Sequence, residues 1–136
     1  MVLAVKTTMK RHSSHWTILW MFHIKPTNGR TFRRMYGPGG DWTRLFSKDP
    51  SYIGTELLHH GASTRCYVTV DRWASCAAYH NFKKRHRNEF AALDARCEAL
   101  TAREIKIGEF SSVGRCFLFP LKRRDGKPPK RLRLNR

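Results

Sequence analysis

Two carboxylates in predicted strands, Glu56 and Asp71, are the side chains whose type and position suit a general base. Both fall in segments rich in β-branched and aromatic residues. A carboxylate accepts a proton efficiently when its surroundings raise its pKa toward neutrality. A salt bridge to Arg72 or Arg65 explains either acid equally well. The sequence therefore leaves a catalytic and a structural role open for both carboxylates.

Metal and thiol chemistry is not indicated by the spacing of histidine and cysteine. The four cysteines are widely separated and form no C-x-x-C pair: Cys66, Cys76, Cys97 and Cys116. Neither a zinc site nor a redox dithiol is predicted, and free buried thiols in a reducing, cytoplasmic setting are expected. His12 with His15, and His59 with His60, would bind a metal only if the loop conformation happened to bring the two rings together. We therefore predict no metal site.

The segment that must position Asp71 changes its hydrophobic period partway along. From Cys66 to Trp73 the pattern is that of a half-buried strand, whereas the apolar residues after Ser75 recur at helical spacing. Ser75 can accept hydrogen bonds from the first helical turn, so a helix is predicted to begin at Cys76. The polar block from Lys83 to Asn88 interrupts the apolar face of this helix and predicts a kink.

The remaining elements complete an alternating order. A first strand is predicted over Thr17–Ile24, a helix over Arg30–Tyr36 that ends at the glycines of 37–40, and a second helical piece capped by Asp41. Strands are also predicted over Tyr52–Leu58 and Ile105–Phe110, the former forming a hairpin with Cys66–Trp73. The order β-α-β-β-α-β is that of an α+β, ferredoxin-like domain with one four-stranded antiparallel sheet.

Charge is concentrated at the two ends of the chain. The net charge is +17, but residues 17–110 hold fifteen bases against nine acids. We expect a disordered leader over 1–16, one domain over 17–110 and a basic, largely disordered tail over 111–136. The basic tail is expected either to contact nucleic acid or other polyanions nonspecifically or simply to be solvated. The apolar patch at 116–121 has no firm interpretation, since partner packing, an added strand and a disordered stub all remain open.

No segment approaches the roughly 20 apolar residues that a membrane span needs. The longest apolar run, Thr17–Ile24, has only eight residues. We therefore expect a protein that does not associate with membranes.

Several segments between Ile18 and Phe110 resemble the antibiotic biosynthesis monooxygenase family of small dimeric α+β barrels. The most specific is the run Trp-x-Ser-x-x-Ala-Tyr-x-x-Phe, from Trp73 to Phe82. The others are Phe22-His23-Ile24-Lys25-Pro26, Gly40-Asp41-Trp42 with Leu45-Phe46, and the strand from Tyr52 to Leu58. The resemblance implies a homodimer in which the open faces of two sheets close a barrel. A sheet with two apolar faces needs such a cover.

The resemblance also implies a small aromatic ligand bound between the sheet and the helices. Some members are cofactor-free oxygenases of polycyclic aromatic, polyketide-like substrates, which need an apolar cavity and a few orienting polar groups. On this basis we predict that six residues lie near such a cavity: Trp20, Phe22, Trp42, Trp73, Phe82 and His86. For each aromatic residue, ordinary core packing is the competing interpretation.

Haem is the less favoured alternative, and no cofactor is predicted. The haem-degrading branch of the family uses a helical histidine, a tryptophan on the same helix and an asparagine on the first strand. In this sequence Phe82 stands where the tryptophan is expected, and Thr17–Ile24 contains no asparagine. Only His86 would serve as the helical ligand. Two function classes thus remain: a small-molecule-binding dimer, with or without oxygenase activity, and a non-enzymatic protein whose basic tail contacts polyanions.

Overall fold

The computed structural model describes residues 15–114, which contain four strands and four helices. The strands are β1 (Trp16–Ile24), β2 (Tyr52–His59), β3 (Cys66–Trp73) and β4 (Thr101–Ser111). The helices are α1 (Gly29–Tyr36) and α2 (Asp41–Phe46) between β1 and β2, and α3 (Cys76–Arg85) and α4 (Arg87–Glu98) between β3 and β4. The predicted order is confirmed, with each helical stretch divided in two.

The strands form one antiparallel sheet in the order β2-β3-β1-β4. Phe22 lies opposite Tyr67, and Ile18 lies opposite Asp71, so these side chains share one face of the sheet. Ile18, Phe22 and Tyr67 are buried together with residues of all four helices, which identifies this as the helix-covered face. This arrangement confirms the predicted α+β, ferredoxin-like fold.

The junction between β3 and α3 follows the predicted change of period. The backbone N–H of Ala78 donates a hydrogen bond to Ser75 Oγ at 3.1 Å, so Ser75 caps α3. At the other end, α3 stops at Arg85 and α4 starts at Arg87, with His86 between them in a non-helical conformation. Both the cap and the kink are therefore confirmed.

The prediction that Asp41 caps α2 is wrong. Gly40 occupies the N-cap position, and no side chain there accepts a hydrogen bond from the helix. A Cβ at Gly40 would lie 2.4 Å from the carbonyl oxygen of Arg34, so only glycine permits this close turn between α1 and α2. The Asp41 carboxylate instead accepts hydrogen bonds from Arg44 at 2.6 Å and from Arg96 at 3.0 Å, linking α2 to α4.

Aromatic side chains build the centre of the core. Trp73 and Phe82 are 0% exposed, and their rings lie 4.9 Å apart between β3 and α3. Phe46 of α2 packs edge-on against both rings at 5.5 and 5.7 Å. Rigid side chains with large buried areas thus join the sheet to the two helices α2 and α3.

The opposite face of the sheet carries a row of apolar side chains that no helix within residues 15–114 covers. Leu58, Val68, Met21 and Ile105 lie side by side in register across all four strands. Each is one position away from a residue that faces the helices, so this row points the other way. Leu58 is 44% exposed, and Phe110, near one end of β4, is 46% exposed. This face is the surface that the predicted dimer would cover.

The predicted leader and tail lie almost entirely outside the described residues. Within 15–114, β1 begins at Trp16 and β4 ends at Ser111, each one residue beyond the predicted domain of 17–110. The apolar patch at 116–121 also lies outside the described range. Among residues 15–114, no helix has the length and apolar character needed to cross a membrane.

Candidate active site

A cavity of about 270 Å³ lies between the helix-covered face of the sheet and the helices. Its walls are mainly aromatic, with Trp20 and Phe22 from β1 and with Tyr36, Trp42, Phe46, Tyr79 and Phe90 from the helices. Its polar side chains are Thr55, Thr69, Asp71, Lys83, Asp94 and Glu104. An aromatic enclosure with a few polar groups is the usual character of a site for a small organic ligand.

The structure places three of the six predicted site residues on the wall of this cavity. They are Trp20, Phe22 and Trp42. Trp73 and Phe82 pack within the core, and His86 lies at the break between α3 and α4, where its Nδ1 is 3.0 Å from Glu89 Oε1. None of these latter three lines the cavity. A role in ligand binding stays a prediction for all six.

Several wall residues on the helices are not among the six predicted site residues. Tyr79 and Lys83 are four residues apart on α3, so they share one face of that helix. From the sequence, Tyr36 is predicted only as the end of a helix, and Phe46 only as part of the segment Leu45-Phe46 that carries the family resemblance. The spacing of Tyr79 and Lys83 was therefore a usable signal, whereas nothing in the sequence separated the wall aromatics from the core aromatics.

Asp71 is the carboxylate that the fold buries beside the cavity. It is 9% exposed and accepts a hydrogen bond from Thr55 Oγ1 at 2.6 Å. The Tyr52 hydroxyl lies 2.5 Å from the same Thr55 oxygen. Because Thr55 donates its only hydroxyl proton to Asp71, Tyr52 must donate to Thr55. The chain Tyr52 to Thr55 to Asp71 therefore holds the carboxylate in a fixed orientation.

Of the two arginines considered as salt-bridge partners from the sequence, Arg72 pairs with Glu56, and neither Arg72 nor Arg65 pairs with Asp71. Arg72 Nη1 lies 3.2 Å from Glu56 Oε1 on the exposed side of the sheet. Within residues 15–114, no ion pair involves Asp71. Successive residues of a strand point to opposite faces, which is why Arg72 cannot reach the side chain of its neighbour. The salt-bridge interpretation thus applies to Glu56 and is wrong for Asp71.

Burial changes the acid–base properties of the cavity. It raises the pKa of Asp71 from 3.8 to about 6, against the lowering effect of the Thr55 hydrogen bond. Burial likewise raises the pKa of the Tyr36 and Tyr79 hydroxyls above the ordinary value for tyrosine. Near neutral pH the site therefore combines a carboxylate that readily takes a proton with two phenols that stay protonated and can donate hydrogen bonds.

The residues around the cavity do not fit the haem site considered from the sequence. The helical histidine that would ligate the iron, His86, does not line the cavity and instead contacts Glu89 and the ring of Phe82. Neither histidine nor cysteine lies among the wall residues. In the part of the chain between 15 and 114, no cluster of three or more metal-ligating side chains occurs.

Several solved structures are similar to this chain. SnoaB, a cofactor-independent oxygenase from Streptomyces nogalater, superimposes with a TM-score of 0.54 at 17% identity over 77% of this chain and 97% of its own. Proteins named as antibiotic biosynthesis monooxygenases from Nitrosomonas europaea and Caulobacter crescentus both give a TM-score of 0.58. The first is 9% identical over 73% of this chain and 90% of its own. The second is 14% identical over 75% of this chain and 92% of its own.

Comparison of the sequence itself gives no match to a protein-family model or to a curated protein. At sequence identities of 9–17%, structural similarity shows that the folds are alike but does not show that the sites have the same chemistry. The chain therefore has the fold of these antibiotic biosynthesis monooxygenase structures.

Proposed function

We propose that the protein belongs to the antibiotic biosynthesis monooxygenase family and is a cofactor-independent oxygenase of planar aromatic substrates that carry a hydroxyl group. The observation that carries this proposal is a buried carboxylate, Asp71, which has no ion-pair partner among residues 15–114 and a pKa of about 6, beside a cavity with aromatic walls. A base of this kind is suited to deprotonate a phenol, and the resulting anion is electron-rich enough to react with dioxygen. The fold shared with SnoaB supports the same reaction class.

In the proposed reaction Asp71 removes the hydroxyl proton, and the substrate anion adds dioxygen at a ring carbon that bears hydrogen. The protonated Asp71 returns its proton to give a hydroperoxide. Asp71 then removes the proton of that carbon while the O–O bond breaks, and hydroxide leaves with the proton as water. One dioxygen supplies both the new carbonyl oxygen and the oxygen of water, so no external reductant is required. The product is a quinone.

The residues around Asp71 support this sequence of proton transfers. Thr55 and Tyr52 fix the orientation of the Asp71 carboxylate, and the aromatic walls exclude water from it, which favours proton transfer within the site. Tyr79 also lines the cavity, and because burial keeps its hydroxyl protonated, it can donate a hydrogen bond to a substrate oxygen.

We further propose a homodimer formed through the open face of the sheet, in the reducing cytoplasm. The row Leu58–Val68–Met21–Ile105 gives a continuous apolar stripe across all four strands. A second copy offers the same stripe, and two such faces bury each other in a self-complementary contact. Cys66, Cys76 and Cys97 are free thiols, in keeping with a reducing compartment.

Oxygen uptake with a panel of polycyclic phenols tests the oxygenase proposal. The test variant is Asp71→Asn, which keeps the shape and still accepts a hydrogen bond from Thr55, and the matched control is Glu56→Gln on the other face. We expect uptake by the wild type and the control, and at least a hundredfold loss in Asp71→Asn, as for removal of a general base. Absence of uptake with every phenol, or full activity of Asp71→Asn, would contradict the proposal.

The second candidate is a non-enzymatic binding protein whose basic tail contacts nucleic acid or other polyanions. The charge distribution favours it, because nine of the 27 basic residues follow residue 110. Deletion of residues 115–136, which leaves β4 intact, should then abolish salt-sensitive DNA binding. DNA affinity that survives this deletion would place polyanion binding in the domain itself.

A further inference from the structure

Lys83 is held over two aromatic walls of the cavity. Its Nζ lies 5.4 Å from the centre of the Tyr79 ring and 5.3 Å from the centre of the Phe90 ring. The two rings come from α3 and α4, on either side of the break at His86, and both line the cavity together with Lys83. Attraction between the ammonium group and the two ring faces keeps the long side chain at the cavity wall.

The ammonium group of Lys83 is not neutralised by any carboxylate of the part of the chain that the structure describes. Among residues 15–114, no Asp or Glu lies within ion-pair distance of it. Two acids outside the cavity wall have other partners: Asp49 pairs with Arg85, and Glu89 with Lys48 and His86. Lysine carries three N–H donors, and aromatic faces do not use them as an oxygen acceptor does. These donors are therefore available to a ligand.

Lys83 is the one basic side chain among the cavity wall residues in the described part of the chain. The acids on the wall are Asp71 from β3, Asp94 from α4 and Glu104 from β4. Asp94 and Glu104 are exposed, and Glu104 accepts a hydrogen bond from Thr101 at 2.9 Å, so water screens both charges. Lys83 and Asp71 thus dominate the electrostatics of the less exposed part of the cavity.

We infer that Lys83 binds an oxyanion carried by the aromatic ligand, either an ionised phenol or an aryl carboxylate. This inference rests on the proposed function, since it deepens the assignment of the same cavity. When Asp71 takes the proton of a hydroxyl ligand, the negative charge moves from the protein to the ligand. A positive charge already held at the cavity wall stabilises that anion with little reorganisation. The ligands preferred by the site are therefore acidic aromatic molecules.

Calorimetric titration with naphthoate and naphthamide tests this inference, because the two molecules share a ring system and differ in charge. The variants are Lys83→Met, which keeps the length of the side chain, Lys83→Arg, which keeps its charge, and Lys84→Met, a control on the exposed neighbour. A hydrogen bond to a charged group contributes about 1.5–3 kcal/mol, which corresponds to roughly a tenfold to hundredfold difference in affinity. We expect wild type, Lys83→Arg and Lys84→Met to prefer naphthoate by about that factor, and Lys83→Met to lose the preference.

A second pair of ligands, naphthol and methoxynaphthalene, separates the phenolate from the carboxylate as the source of the oxyanion. A preference for naphthol that grows as it ionises, and that requires Lys83, assigns the ionised phenol. Equal affinity of the wild type for naphthoate and naphthamide, or a preference that survives in Lys83→Met, would overturn the inference. Failure of the oxygenase proposal is distinguishable: it is the absence of oxygen uptake while the charge preference in binding persists.

Discussion

Replacing Asp71 with asparagine should stabilise the folded protein above about pH 6 and change its stability little below about pH 4. Burial raises the pKa of Asp71 from 3.8 to about 6. Between these two values the folded chain holds a proton that the unfolded chain has lost, so stability falls as the pH rises through this window. Above the pKa of about 6, the folded state must carry a buried carboxylate that no cation of residues 15–114 neutralises. Asparagine removes that charge.

The size of the effect follows from the difference between the two pKa values. It is roughly two pKa units, and each unit corresponds to about 1.4 kcal/mol, so the wild type loses about 3 kcal/mol of stability between pH 4 and pH 7 through this one group. Thr55 can still donate its hydrogen bond to the asparagine oxygen, and the side chains have nearly the same shape. We therefore expect Asp71→Asn to gain most of that amount near pH 8.

Urea denaturation at about pH 4 and about pH 8 measures this difference. Glu56→Gln is the matched control, because Glu56 lies on the exposed side of the neighbouring strand and forms a surface ion pair with Arg72. Such a pair contributes at most about 1 kcal/mol. If Asp71→Asn were less stable than the wild type at about pH 8, or changed in stability by the same amount at both pH values, burial would not raise the pKa of Asp71 as described. If Asp71→Asn gains stability and loses oxygen uptake, the charge that catalysis needs is also a charge that destabilises the folded protein.

Three further predictions concern the fold and its assembly. Phe82→Ala should lower the free energy of unfolding by about 3–5 kcal/mol in urea denaturation, because it leaves a void beside Trp73; full stability would disprove the described packing. Ser75→Ala should lower it by about 1 kcal/mol through loss of the hydrogen bond to Ala78, whereas Ser75→Asp should retain the cap. Leu58→Glu should convert a dimer to a monomer in sedimentation equilibrium, with Ala62→Glu in the β2–β3 loop as control; a monomeric wild type would contradict the dimer.

The strand and helix pattern was readable because local signals and tertiary structure agree. The segment Cys66–Trp73 forms a strand within those same bounds, and Ser75 marks the start of the next helix because its side chain satisfies a free backbone amide. The break at His86 follows the polar block that interrupts the apolar face. Asp41 failed as a cap because the chain turns so tightly that glycine must occupy the preceding position. A turn of this kind depends on carbonyl positions that no local pattern reports.

The division of aromatic residues between core and cavity was not readable from the sequence. Trp42 and Trp73 have the same side chain and both are buried, yet one faces the cavity and the other packs against Phe82. The difference depends on how the helices lie across the sheet. The partner of Asp71 was also hidden, since Thr55 reaches it only through the register of β2 with β3. Register joins residues that are far apart in the sequence.

The placement of the tryptophans makes intrinsic fluorescence a measure of ligand binding in the cavity. Of its four indoles, those of Trp20 and Trp42 lie on the cavity wall. Trp73 is sealed in the core, and Trp16 donates a hydrogen bond to Glu109 at 3.1 Å near the end of β4. An aromatic guest that stacks on the first pair would quench part of the ultraviolet emission, whereas the sealed indole would keep its signal as an internal reference.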